Sequence, residues 1–266
     1  MLLAAIPIFY QLIEAYHPAA SYSPPAISVV VSITPTPSPV LAVKTATLEA
    51  PKDIGGDGQV VNIAVLGDSM IQTLGEGLPA LKNSLHQYFP NHVFNLQNFG
   101  QGSQTIEYGL NTLLPEIISQ KPDIIVVESF AYNNFGNTEN GINRHWLALG
   151  AITTKIKTQL PNTKVVIAAT IAPNSVVFGN GIKDIHFTAL EKLEKASTTK
   201  LYLQNTINFA TSQGFPLADA YHLSLFGNEG SNDFINSGDN LHPSTLGATL
   251  FSDLIADTIS KSKLLN

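Results

Sequence analysis

Residues 59–266 are predicted to fold as a three-layer α/β/α domain around a five-stranded, mainly parallel sheet. Three observations lead there. The run Val60–Leu66 is β-branched and aliphatic with only Asn62 polar, as in a strand covered on both faces. Four further short apolar runs follow it, and each gap between them has room for a helix. Strands alternating with helices of that length imply parallel pairing with right-handed crossovers and helices on both sides of the sheet.

In chain order, Met1–Tyr16 is apolar but interrupted by Pro7 and Glu14, and its 16 residues fall short of the roughly 20 a spanning helix needs. It is similar to the apolar region of a signal peptide, although no Lys or Arg precedes Lys44. An export signal or membrane tether is the expectation, against the alternative of a short amphipathic helix packed on the domain. Residues 17–58 are rich in Pro, Ser and Thr, and Thr34-Pro35-Thr36-Pro37-Ser38-Pro39 can form neither a helix nor a central strand. An extended linker is expected there, with Ile27–Ile33 as a candidate edge strand. The predicted strands are Val60–Leu66, Val93–Gln97, Ile124–Glu128, Val165–Thr170 and Pro216–Asp219. The predicted helices are Gly77–Tyr88, Thr105–Ser119, Ile142–Thr158, Ile185–Ser212 and Ser244–Ser262. No internal repeat is visible.

Composition removes several classes of function. Net charge is −6 with a pI near 5.6, so the basic stripe that nucleic-acid binding requires is missing. With no cysteine, neither a disulfide framework nor a thiolate metal site can form. The seven histidines show no HExxH pair or other tight ligand spacing, so no His-based zinc site is expected.

Ligands of open α/β sheets bind at the carboxyl ends of the strands, and four polar clusters fall at predicted strand ends or in the final loop. The first strand ends in Gly67-Asp68-Ser69, with glycine expected to permit a sharp turn that presents the Ser69 hydroxyl; helix N-capping is the alternative reading. The second ends in Asn98-Phe99-Gly100-Gln101-Gly102-Ser103, a turn able to aim backbone N–H groups inward. After the third come Asn133 and Asn134, whose amides can donate to an anion but are also ordinary turn residues. Finally Asp239 and His242, three residues apart before the last helix, can reach one another so that a ring nitrogen stays free for a nucleophile.

With these four clusters in this order, the chain resembles the SGNH hydrolases, the GDSL-type lipases and esterases, across roughly residues 60–262. Gly67-Asp68-Ser69 matches the nucleophile block, with Met70 where leucine is usual. Asp239-Asn240-Leu241-His242-Pro243 matches the closing Asp-x-x-His-Pro block. The Asn-x-Gly-x-x-Gly block is met by Asn98 and Gly100, with Ser103 on its last glycine. The Gly-x-Asn-Asp block appears as Ala131-Tyr132-Asn133-Asn134, keeping only the asparagine. The resemblance implies a flavodoxin-like sheet and a serine esterase with Ser69, His242 and Asp239 as nucleophile, base and orienting acid. It also implies an oxyanion hole from the N–H groups of Ser69 and Ser103 and the amide of Asn133, with Gly102 as the alternative to Ser103. Short-acyl esters or acetylated carbohydrates are expected above long-chain lipids, because no long apolar insertion suggests a lid. A Pro-rich tether favours an extracytoplasmic target. Acyl transfer to a glycan by the same residues, or a catalytically silent glycan-binding domain, are the alternatives.

Overall fold

Five strands pair in the order β2-β1-β3-β4-β5, all parallel, in a computed structural model that describes residues 58–265. The strands are β1 (Val60–Gly67), β2 (Val93–Gly100), β3 (Ile124–Glu128), β4 (Lys164–Ala169) and β5 (Leu217–Asp219). The expectations for the signal, linker and edge strand lie outside the described residues. Within this sheet the pairing is wholly parallel; the antiparallel element is a separate hairpin of β6 (Leu225–Phe226) and β7 (Glu229–Gly230).

Side-chain alternation divides the core into two layers, as period-2 strands require. Val61, Ile63 and Val65 of β1, with Ile124 and Val126 of β3, face α2 (Pro79–Tyr88) and α8 (Thr245–Lys261), where Leu85, Phe251 and Ile255 meet them. Ala64 and Leu66, with Ile125 and Val127, face the other way. They pack against the run α3 (Ile106–Tyr108), a π turn (Gly109–Leu113) and α4 (Leu114–Gln120), and against α5 (Glu139–Gln159) and α6 (Ala189–Gln213). β1 and β3 are buried almost throughout, so the apolar runs read correctly as central strands.

The helices begin where their caps dictate. Pro79 opens α2, its fixed φ suiting the first turn, so the helix starts two residues after the predicted Gly77. Thr138 caps α5, and Thr188 with Glu191 forms a capping box on α6. That box moves the start of α6 from the predicted Ile185 to Ala189 and leaves 178–187 as loop. Ser244 caps α8 by accepting from the Gly247 N–H at 3.1 Å, two residues beyond His242. Besides the β6–β7 hairpin, three short helical elements are additional to the sequence reading: α1 (Ser69–Gln72), α7 (Ala220–Leu223) and the 3₁₀ turn Ala131–Asn133.

The strand order reverses between β1 and β3, and a crevice is expected at that switch point. The segments leaving β1 and β3 carry Ser69 and Asn133.

Candidate active site

Gly67 is needed for space rather than for an unusual φ. A Cβ there would lie 2.2 Å from Cγ1 of Ile71, so only glycine lets α1 fold back against the strand end. Asp68 is the N-cap, its Oδ1 accepting from the Met70 N–H at 2.8 Å. Ser69 is the first helical residue, half-buried, and its hydroxyl has no hydrogen-bond partner among the described residues. Capping and presentation thus fall to two adjacent residues.

The Asp68 carboxyl is fully buried, and its Oδ2 accepts from the Asn133 amide at 2.9 Å. Burial pushes its pKa up to about 6, against the pull of the Met70 and Asn133 hydrogen bonds and of the nearby His242 ring. One amide hydrogen of Asn133 is therefore held by Asp68, and the other is left for a ligand.

The segment after β2 passes beside Ser69. Gly100 fits against α1 so closely that a Cβ would meet the Gln72 nitrogen at 2.1 Å, and a Cβ on Gly102 would lie 3.7 Å from Cβ of Ser69. The Gly102 N–H donates to Oε1 of Gln72 at 2.9 Å. Ser103 has φ +60, the left-handed conformation usual for glycine, and its N–H has no partner among the described residues. Ser103 therefore adopts the backbone that glycine takes most readily. Asn98 buttresses this turn, donating to the Ile71 and Gly75 carbonyls at 2.9 Å each.

A group that the sequence reading passed over underlies the turn after β3. Glu128 is fully buried at the end of that strand. Its Oε2 accepts from the Phe130 N–H at 2.9 Å and, at 3.5 Å, from the Asp68 N–H; Oε1 meets the Ser129 hydroxyl. Phe130 is a buried bulky residue at φ +50, a conformation costing on the order of 1–3 kcal/mol that its surroundings must hold. Burial, then the Asp68 charge, raises the Glu128 pKa well above the ordinary carboxyl value, and its hydrogen bonds offset this only in part. Glu128→Gln, which keeps the acceptor and gives Ser129 an amide donor, is expected to hold stability within about 1 kcal/mol. Glu128→Ala strands buried N–H groups and is expected to cost about 1–3 kcal/mol for each group left unpaired. Urea denaturation of the two variants checks this, and equal losses would mean that keeping the acceptor does not preserve stability.

Beneath the same turn His145 lies wholly buried, with Nε2 2.7 Å from the Ser129 carbonyl and Nδ1 2.9 Å from the Asn205 amide. Burial lowers its pKa to about 4, so it is neutral, with Nε2–H donating to Ser129 and Nδ1 accepting. Asn134 is a turn residue: its amide donates to the Ala131 carbonyl and its oxygen accepts from the Gly136 N–H.

In the final loop, Asp239 uses Oδ1 to accept from the N–H groups of Leu241 (2.9 Å) and His242 (3.0 Å), and Oδ2 to face His242 Nδ1 at 2.9 Å. Asn240 turns the chain at φ +53 and ties the loop to its neighbour through the Asn180 carbonyl at 2.7 Å. Burial raises the Asp239 pKa, but the hydrogen bonds from the His242 ring and from the two N–H groups outweigh it, and the net shift is downward. With Nδ1 directed at the carboxylate, Nε2 of His242 is buried and has no partner among the described residues.

The structure therefore gathers all the sequence candidates at one end of the sheet. Ser69 lies beside Gly102, Asn133 is bonded to the residue before Ser69, and His242 lies near enough to act electrostatically on that same Asp68. Of the two candidates for one backbone donor, Gly102 has its N–H engaged and Ser103 does not. The contributions missed were the link from Asp68 to Asn133, Glu128 and His145. A single acidic residue closing the apolar run Ile124–Val127 was the available signal for Glu128. Among the described residues, no group of three or more His, Asp or Glu is placed to hold a metal ion.

The sequence matches no protein-family model and no curated protein. Solved structures do match. A lipase/acylhydrolase from Enterococcus faecalis superposes with a TM-score of 0.55 at 19% identity, covering 76% of this chain and 96% of that one. A GDSL-like lipase from Bacteroides thetaiotaomicron gives 0.54 at 14% identity, over 76% and 88% of the two chains. An acetylxylan esterase from Geobacillus stearothermophilus gives 0.54 at 14% identity, over 76% and 95%. With its parallel 2-1-3-4-5 sheet and these relatives in structure, the chain has the SGNH hydrolase fold.

Proposed function

We propose that the protein is a serine esterase that hydrolyses carboxylic esters, with short-acyl esters or acetylated carbohydrates as substrates. Ser69 Oγ attacks the ester carbonyl while Nε2 of His242 takes its proton. Asp239 holds the imidazole with Nδ1–H toward the carboxylate and stabilises the imidazolium. The tetrahedral oxyanion is met by the N–H groups of Ser69 and Ser103 and the free amide hydrogen of Asn133. Collapse expels the alcohol, which takes the proton from Nε2. Water then attacks the acyl-serine by the same route and releases the acid.

The observation that carries this reading is the unpartnered, buried Nε2 of His242, on an imidazole whose other nitrogen is fixed by Asp239. Buried polar atoms are ordinarily paired, and one left open in a crevice is a candidate for proton transfer. The acetylxylan esterase among the similar structures supports the carbohydrate part of the reading. An extracytoplasmic setting is part of the proposal and rests on the N-terminal composition alone.

The test is covalent. A fluorophosphonate, which labels activated serines, is expected to add one equivalent to the peptide containing Ser69 and to stop hydrolysis of p-nitrophenyl acetate in proportion. Labelling elsewhere, or hydrolysis that survives full labelling of Ser69, would refute the assignment.

A further inference from the structure

The turn that carries Asn133 keeps only that asparagine of the Gly-x-Asn-Asp block, so other residues of this chain must hold it in place. The Glu128 carboxyl, fully buried and unused by the proposed mechanism, lies where it can do so. β1 and β3 are paired neighbours up to Leu66 and Val127, which sets Gly67 and Glu128 side by side just beyond the last pair. A Cβ on Gly67 would lie 3.0 Å from Cβ of Glu128, so the glycine also leaves room for this side chain.

Four hydrogen bonds close a circuit around the reacting groups. Oε2 of Glu128 accepts from the Phe130 N–H at 2.9 Å and from the Asp68 N–H at 3.5 Å. The Phe130 carbonyl accepts from the Asn133 N–H at 3.3 Å, which closes the turn that ends in Asn133. The Asn133 side-chain amide donates to Oδ2 of Asp68 at 2.9 Å, and Asp68 caps the helix that Ser69 begins. From Glu128 one path therefore runs through Asp68 to the nucleophile and the other through Phe130 to the oxyanion donor. The Asp68–Asn133 bond joins their ends.

The circuit is braced from behind. Nε2 of His145 meets the Ser129 carbonyl at 2.7 Å, and its Nδ1 meets the Asn205 amide at 2.9 Å. Phe130 at φ +50 is held in a conformation that its side chain disfavours, so a turn that loses the bond to its N–H is free to relax.

We infer that Glu128 is a positioning residue for the reaction, its carboxyl setting where the Asn133 amide stands relative to the Ser69 hydroxyl. The inference rests on the esterase reading above and deepens it. Glu128 acts through Asp68 and Phe130 and touches no substrate. An oxyanion donor works on charge that develops in the transition state, so displacing it lowers kcat and leaves ground-state binding nearly unchanged. A carboxyl that served the fold alone would lower stability without that bias.

Hydrolysis of p-nitrophenyl acetate is measured for the full chain and its variants, each first shown to be folded by circular dichroism. Asn133→Ala removes one oxyanion donor and is expected to lower kcat about 10²–10³-fold. Glu128→Ala is expected to lower kcat at least about thirtyfold with KM within about threefold of wild type. Glu128→Gln, which keeps an acceptor, is expected to recover most of that loss. In the Asn133→Ala background the loss from Glu128→Ala is expected to be at least about fivefold smaller, because the group it positions is gone. If Glu128→Ala does not fold, Glu128→Asp takes its place: it draws the carboxyl back by one methylene, and a loss of at least about tenfold is expected. The side-chain amide NMR signals of Asn133, identified by their loss in Asn133→Ala, supply a readout without turnover. They are expected to keep their positions in Glu128→Gln and to shift or broaden in Glu128→Ala. A kcat for Glu128→Ala within about threefold of wild type, or an equal loss with and without Asn133, overturns the inference whatever the signals do. Signals that move as expected, in a protein without Ser69-dependent hydrolysis, would sustain the link from Glu128 to Asn133 and sink the esterase reading instead.

Discussion

Ser69→Ala is expected to lower ester turnover by about 10⁴-fold or more while leaving the fold intact. The two halves of that expectation have separate physical grounds. The hydroxyl makes no hydrogen bond among the described residues, so its loss strands no partner. Capping of α1 is done by Asp68, and alanine is a good helix former at the first helical position. Stability is therefore expected to change by no more than about 0.5 kcal/mol, as for a surface substitution without a special role. Asp68→Ala is the contrast. It removes a cap worth about 1 kcal/mol and also the acceptor that holds the Asn133 amide, so it is expected to lower both stability and turnover. Hydrolysis of p-nitrophenyl acetate and thermal melting, on preparations free of host esterases, separate the two. If Ser69→Ala turns over at the wild-type rate, Ser69 is not the nucleophile.

The sheet was legible because central parallel strands are buried on both faces, and continuous runs such as Val60–Leu66 and Ile124–Val127 have few other uses. Ser69, Asp239 and His242 were legible because each sits in a short polar cluster at the end of such a run or just before a helix. Helix starts were less so, since a cap can override periodicity: Thr188 and Glu191 start α6 at Ala189, four residues beyond the apolar Ile185. Ile185 and Phe187, read as the start of that helix, line a pocket instead. Gly67 was read as a conformational hinge, yet its role is to leave room for Ile71, which depends on a fold-back no linear pattern reveals. Glu128 and His145 were missed for the same reason. Their partners lie 60 residues away in sequence, at Asp68 and Asn205, and only the folded chain brings them together.

Asp239→Asn is expected to lower turnover on the order of 10⁴-fold with the loop preserved. The asparagine oxygen can still accept the Leu241 and His242 N–H groups through the position of Oδ1, so the turn survives. Its NH₂ then faces Nδ1 where Oδ2 stood, which forces the ring proton onto Nε2 and removes the acceptor for the Ser69 hydroxyl. His242→Ala, which removes the acceptor outright, is expected to cost at least as much. The pairing also has a pH signature in stability. The Asp239 pKa is depressed on folding, so the contribution is present above the unfolded value of about 3.9 and lost as pH falls through the lower, folded value. The stability gap between wild type and Asp239→Asn is therefore expected to be full at pH 7 and to shrink below about pH 4, measured by urea denaturation across that range. A gap that does not change with pH would mean that the Asp239 charge contributes nothing to the fold. Near-wild-type turnover by Asp239→Asn, with His242→Ala inactive, would reduce the site to a Ser69–His242 dyad and leave Asp239 as a loop-forming residue.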